Sequence, residues 1–216
     1  MRKIYIVPNF VTTANLFCGF YSMIAAIQLD FVSASWAIVG ASVFDALDGR
    51  IARLARATSR FGVEYDSLSD LVSFGIAPGI LLNQWALLRF GRLGWIAAFI
   101  FVACGALRLA RFNVTSDILP KGFFQGLPIT AAAGMVATFM LFNESVNWPT
   151  NYEGFSLFLT ILLSFLMVST IKFPSMKEVN WHSKSIFWYL LAGVLVMILI
   201  AVKPEVTLFL ILSIYI

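Results

Sequence analysis

The sequence predicts an all-α fold, a polytopic transmembrane helical bundle of about eight spans with its N-terminus in the cytoplasm. Three observations lead there. Of the 216 residues, 60% are hydrophobic and only 12% charged, whereas soluble domains carry about 25% charged residues. The apolar residues fall in runs close to the ~20 residues that a helix needs to cross the hydrocarbon. Gly, Pro or charge marks the breaks between runs, where helices stop. No polar stretch is long enough to bury a core of its own, so residues 1–216 are expected to form one integral-membrane domain.

In order, the spans are expected near residues 9–29, 33–53, 66–88, 93–112, 126–143, 154–171, 185–202 and 204–216. The breaks come at Asp30, at Arg89-Phe90-Gly91-Arg92, around Pro120-Lys121-Gly122, at Asn147-Trp148-Pro149 and at Lys172-Phe173-Pro174. The eighth run, opening at Pro204, is short for a full crossing. Met1-Arg2-Lys3 precedes the first run without a small-residue cleavage site after it, so no cleaved signal peptide is expected. Basic residues set the orientation. With the N-terminus inside, the cytoplasmic segments hold Arg2, Lys3, Arg50, Arg53, Arg56, Arg60, Arg108, Arg111, Lys121, Lys172, Lys177 and Lys184. The outer segments hold Arg89, Arg92 and Lys203. This is a strong positive-inside bias.

Against that background, four aspartates stand out. Asp45 and Asp48 are three apart near the end of the second span, and Asp66 and Asp70 are four apart at the start of the third. Those spacings put each pair on one helix face. The short basic loop between them, carrying Gly62, should fold the helices antiparallel so that all four carboxylates meet on the cytoplasmic side. Each carboxylate beside an apolar span costs at least ~2.5–3.5 kcal/mol unless compensated. A divalent cation compensates several at once. Oxygen-only ligands suit Mg²⁺ or Mn²⁺, and two such ions would clamp a phosphate and offset charge developing in a displacement. Gly49 removes a side chain beside Asp48, and Ala52 leaves room one turn later. Arg53 is placed to contact a phosphate or to hold a carboxylate.

The pattern D-x-x-D-G-x-x-A-R, eight residues, G-x-x-x-D-x-x-x-D is met by Asp45, Asp48, Gly49, Ala52, Arg53, Gly62, Asp66 and Asp70. It resembles the signature of the CDP-alcohol phosphotransferases, integral membrane enzymes of phospholipid synthesis. The resemblance implies a six-helix core with additional C-terminal helices here. It also implies that Asp45, Asp48 and Asp66 bind metal and the CDP diphosphate. Asp70 would complete the metal site and act as general base on the acceptor hydroxyl. Gly49, Ala52 and Arg53 would line the CDP pocket, with Gly62 also on the CDP-lipid side.

The flanks resemble the small membrane-embedded phosphatidylserine synthase branch of that family. They are Pro8-Asn9-x-x-Thr12-x-x-Asn15, the run Phe74-Gly75-Ile76-Ala77-Pro78, Arg108-x-x-Arg111-Phe112-Asn113 and Gly126-Leu127-Pro128. The match covers roughly the first 130 residues. It implies CDP-diacylglycerol and L-serine as substrates, release of CMP, a multi-pass place in the cell membrane and a homodimer. Arg108 and Arg111 share a helix face and could read serine's carboxylate bidentately, with Asn113 adding a donor and an acceptor. They could equally be anchors that snorkel to headgroups. Asn9, Thr12 and Asn15 could cap the first helix or hydrogen-bond across spans; the resemblance brings Asn9 and Thr12 to the CDP-lipid site. Ser69 and Ser73 are expected to pack or bond locally.

Another acceptor, glycerol 3-phosphate or inositol phosphate, would use the same signature. A divalent-cation transporter is the rival from another class, although its carboxylates would be expected nearer the midplane. Cys18 and Cys104 lie in apolar spans with neither metal spacing nor a disulfide framework. His182 falls in a basic loop and Lys121 is expected to be solvated. Nothing in the sequence points to nucleic acid.

Overall fold

A computed structural model describes residues 6–54, 59–115, 123–146, 152–174, 194, 197 and 199–216. Its elements are α1 (Ile6–Ile27), α2 (Phe31–Leu54), α3 (Arg60–Phe90), α4 (Arg92–Thr115), β1 (Phe123–Gln125), α5 (Ile129–Val146), α6 (Tyr152–Val168), β2 (Lys172–Pro174) and α7 (Pro204–Tyr215). Among the described residues, five helices are long and apolar enough to cross a membrane, and α6 and α7 are shorter apolar helices. The expected all-α polytopic bundle is what the chain forms. The span expected over 185–202 lies largely outside the described residues.

The first two helices form a tightly packed hairpin. Small side chains, Ala25, Ala26, Ala34 and Ala41, are buried where they meet. Small residues let helix backbones approach when packing, not water exclusion, drives association. The turn is made by Leu29, which adopts a left-handed φ of 64°, and by Asp30. Leu29 N–H and Asp30 N–H return to the carbonyls of Ala26 and Ala25 at 3.1 and 2.9 Å, closing the end of α1. Asp30 Oδ1 then accepts the Ser33 N–H at 3.1 Å and caps α2.

The third helix departs from expectation. It begins at Arg60 rather than near 66, because Ser59 caps it: Ser59 Oγ accepts the Gly62 N–H at 3.0 Å. The rod then runs 31 residues to Phe90 and is not uniformly α-helical. Immediately after Asp70 it widens into a π-helical stretch, Leu71–Ile76, and does so again at Asn83–Leu87. Such widened turns recur at functional sites.

At the centre lies α5, buried on nearly every side and packed against α2, α3 and α7. Its run Ala131-Ala132-Ala133-Gly134 keeps those neighbours close. Besides the helices, the chain adds a small antiparallel ribbon, in which Phe124 pairs with Phe173 and Gln125 with Lys172. The sequence pattern did not suggest it, since three-residue strands carry no period. It ties the approach to α5 to the exit from α6, where Gly126 N–H reaches Ile171 O at 2.8 Å and Leu127 N–H reaches Leu166 O at 3.0 Å.

Candidate active site

Three of the four aspartates converge. One carboxylate oxygen each from Asp45, Asp48 and Asp66 lies within 4.8 Å of the others. The α1–α2 hairpin and the antiparallel approach of α3 bring them there, whereas the spacing led to the expectation that all four would meet. Asp48 is buried, with 5% of its surface exposed. Its Oδ2 accepts from Thr12 Oγ1 at 3.1 Å, and the Gly49 N–H also faces its carboxylate. Asp70 follows one turn after Asp66 but stands outside the three-oxygen group. It is 9% exposed, and its Oδ1 accepts from Asn15 Nδ2 at 3.1 Å. Three carboxylates thus share one point, and a fourth is held beside them by an amide.

Helix α1 holds both sets. Thr12 and Asn15, three apart on one face, carry the bonds to Asp48 and Asp70. In return, Ser69 Oγ donates to Thr12 O at 3.1 Å and Ser73 Oγ to Asn15 O at 2.9 Å. Ser69 and Ser73 therefore bond across spans instead of locally. The approach is close because position 19 is glycine. A Cβ there would stand 2.6 Å from Ser73 Cα and 2.9 Å from Ser73 Cβ.

At the start of α3, a Cβ on Gly62 would come 3.2 Å from the capping Ser59 Oγ, and Asn9 Oδ1 of α1 stands 3.7 Å from the same point, an ordinary contact. Thr13 Oγ1 and the Tyr65 hydroxyl share a hydrogen bond at 2.9 Å beside them. Ala52 and Arg53 continue the backbone of α2, and their side chains lie outside the described residues.

The three residues expected around serine do not meet at one point. Arg108 is buried, 8% exposed, with Cζ 5.5 Å from the centroid of the Phe112 ring. Its charge lies in the field of Asp70 and Asp45, and its Nε has no hydrogen-bond partner among the described residues. Arg111 turns the other way. Its Nη1 donates to Val168 O at 2.9 Å, and its Nη2 faces the carbonyls of Gln125, Met167 and Ser169 at 3.1–3.2 Å. A cation at a helix C-terminus satisfies carbonyls that have no partner within the helix. Asn113 Nδ2 donates to Ser67 Oγ at 2.9 Å, next to Asp66.

Asn15 was expected to cap the first helix or to hydrogen-bond across spans, and it does the second, to Asp70. The signal that would have promoted it is a polar residue three positions from Thr12 within an otherwise apolar helix, since intramembrane polar groups seek one another.

The donor set fits a hard divalent cation. It is all carboxylate oxygen, it is convergent, and Asp66 Oδ1 is buried without a hydrogen-bond partner among the described residues. Asp45, Asp48 and Asp66 would hold such an ion, with Asp70 adjoining.

The chain is also similar in sequence to known proteins. Residues 5–169 match the model of a family described as CDP-alcohol phosphatidyltransferase. A Helicobacter pylori protein named CDP-diacylglycerol–serine O-phosphatidyltransferase is 39% identical over 185 residues, covering 85% of this chain and 78% of that protein. A Methanocaldococcus jannaschii protein of the same name is 39% identical over 193 residues, covering 89% and 82%. One from Bacillus subtilis, also so named, is 36% identical over 173 residues, covering 80% and 92%. The aspartates that converge here lie within the matched residues, and the chain belongs to the CDP-alcohol phosphatidyltransferase family.

Proposed function

We propose that the protein is a phosphatidylserine synthase, transferring the phosphatidyl group of CDP-diacylglycerol to the hydroxyl of L-serine with release of CMP. The observation that carries the reading is the convergence of Asp45, Asp48 and Asp66 in a chain whose relatives are named for this reaction. Those three residues and Asp70 would hold divalent metal, Mg²⁺ or Mn²⁺, as two ions, which would supply positive charge to offset that of the diphosphate and of the departing CMP.

The chain's own residues supply the rest. Asn9, Thr12, Gly49, Ala52, Arg53 and Gly62 form the CDP-lipid side, where the absent side chains of Gly49 and Gly62 leave room for the diphosphate. Arg108 faces the serine carboxylate, while Arg111 and Asn113 fix the helix that carries it. Asp70 takes the proton of the serine hydroxyl. The freed oxygen forms a bond to the phosphorus that bears the diacylglycerol, and the bond from that phosphorus to the CMP oxygen breaks. Low exposure keeps water from competing as acceptor. The site opens to the cytoplasmic face of the cell membrane, where serine and CDP-lipid are both available, and the enzyme works as a homodimer.

The test is CMP release from CDP-diacylglycerol by purified protein, with Mg²⁺ or Mn²⁺ and with L-serine, glycerol 3-phosphate or inositol phosphate in turn. Release that requires serine and metal, with phosphatidylserine as product, is the expected result. Release with another acceptor keeps the chemistry and reassigns Arg108. Ion flux through liposomes without CMP release would restore the transporter.

A further inference from the structure

Three buried polar atoms near the carboxylates have no hydrogen-bond partner among the described residues: Asp66 Oδ1, Arg108 Nε and Asn15 Oδ1. A buried donor or acceptor left unpaired forfeits its full solvation. Asp66 Oδ1 belongs to a carboxylate of the cluster that fits a cation, and Arg108 is matched in charge to a carboxylate. Asn15 Oδ1 is served by neither.

The orientation of this amide follows from an ionised Asp70, the form a general base must take. A carboxylate oxygen accepts hydrogen bonds, so the amide nitrogen faces Asp70 Oδ1 at 3.1 Å and the amide oxygen points elsewhere. Asn15 has no freedom to swing away. It is fully buried, its carbonyl is held by Ser73 Oγ at 2.9 Å, and Gly19 seats the next turn directly on the Ser73 backbone. Its Oδ1 is thus presented within the breadth of one amide group from the Asp70 bond.

L-Serine brings three polar groups to the site. On the reading above, Asp70 takes the hydroxyl proton and Arg108 faces the carboxylate, which leaves the ammonium in need of acceptors. We propose that Asn15 Oδ1 accepts a hydrogen bond from the α-ammonium of the acceptor substrate. One amide then does two things: Nδ2 holds the base, and Oδ1 reads the amino group beside it. This rests on serine being the acceptor, and it makes the subsite selective for a 2-amino-3-hydroxy acid over a hydroxy acid lacking the amine.

The experiment compares wild type with Asn15→Leu, measuring KM for L-serine, KM for CDP-diacylglycerol and the inhibition constant of 3-hydroxypropionate, which keeps hydroxyl and carboxylate but lacks the amine. Wild type is expected to bind serine at least about tenfold more tightly than 3-hydroxypropionate, the discrimination a charge-assisted hydrogen bond supplies. Asn15→Leu should raise the serine KM by about tenfold and lower kcat, while the 3-hydroxypropionate constant and the CDP-diacylglycerol KM stay within about twofold. Equal affinity of the wild type for both compounds overturns the proposal, and that arm needs no variant to fold. A variant that loses kcat with an unchanged serine KM also overturns it, leaving Asn15 as a support for Asp70 alone. If wild type releases CMP but not in response to serine, the acceptor assignment fails instead.

Discussion

Thr12 Oγ1 lies 3.1 Å from Asp48 Oδ2, a buried hydrogen bond between residues 36 positions apart. It aims one carboxylate of the cluster from a different helix. A hydrogen bond to a charged, buried group is worth about 1.5–3 kcal/mol. Thr12→Val should therefore lower kcat/KM for the CDP-lipid by roughly ten- to a hundredfold. Thr12→Ser, which keeps the hydroxyl, should stay within a few-fold of wild type. Steady-state CMP release at varied CDP-diacylglycerol checks both.

The three-oxygen group of Asp45, Asp48 and Asp66 predicts strict metal dependence. Chelation with EDTA should abolish CMP release, and adding back Mg²⁺ or Mn²⁺ should restore it. Asp48→Asn or Asp66→Asn should lower kcat by at least about a hundredfold, since each removes a charged ligand that a neutral amide replaces poorly. Turnover that persists in EDTA would remove the metal from the reaction.

Arg111 predicts a different phenotype from Arg108, although they are one turn apart. Its guanidinium holds carbonyls of Gln125, Met167, Val168 and Ser169. Arg111→Ala should lower stability by about 2–3 kcal/mol, read as an earlier thermal transition in detergent, with a modest change in serine KM. Arg108→Ala should show the reverse, with serine KM raised and the melting temperature changed less. The opposite pattern would exchange their roles.

Gly19 predicts a packing failure with a catalytic readout. A Cβ there would meet Ser73 Cα at 2.6 Å, and backbone cannot yield as a flexible side chain does. Gly19→Ala should push α1 off α3, costing about 1–3 kcal/mol as overpacking does. Because Thr12 and Asn15 ride on the same helix, activity should fall by more than the folded fraction does.

Asp30 predicts a small pH effect outside the membrane spans. Its bonds from Ser33 hold its carboxyl below the ordinary range. A depressed folded-state pKa means that the stabilisation is present above the unfolded value, about 3.9. It is lost as pH falls through the lower folded value. Asp30→Ala should melt earlier than wild type at neutral pH, and the gap should close on acidification.

Much of the site was legible because its spacing is local. Asp45 and Asp48, and Asp66 and Asp70, share helix faces by arithmetic, and a short loop leaves few ways to bring the pairs together. The start of α3 was misplaced because Ser59 and Gly62 form a helical cap within a polar stretch that reads as loop. Arg108 and Arg111 looked alike, since equal spacing on one helix says nothing about what each meets; the carbonyls that occupy Arg111 come from residues 125 and 167–169. Asn15 bonds across spans as expected, but Ser69 and Ser73 were undervalued for the same reason. Their partners are more than fifty residues away, and no periodicity reports that.

The length of α3 has a bearing on where the chemistry sits. Its 31 residues span at most about 46 Å at the α-helical rise, against a hydrocarbon thickness of about 30 Å. Taking Arg89 and Arg92 to mark one boundary, the surplus would fall at the Arg60 end, where, in the first ten residues or so, Asp66 and Asp70 stand. On the proposed orientation, that would set the carboxylates near the headgroup edge of the bilayer. A lipid diphosphate would then meet them by lateral diffusion within its own leaflet, with its acyl chains staying in the oil.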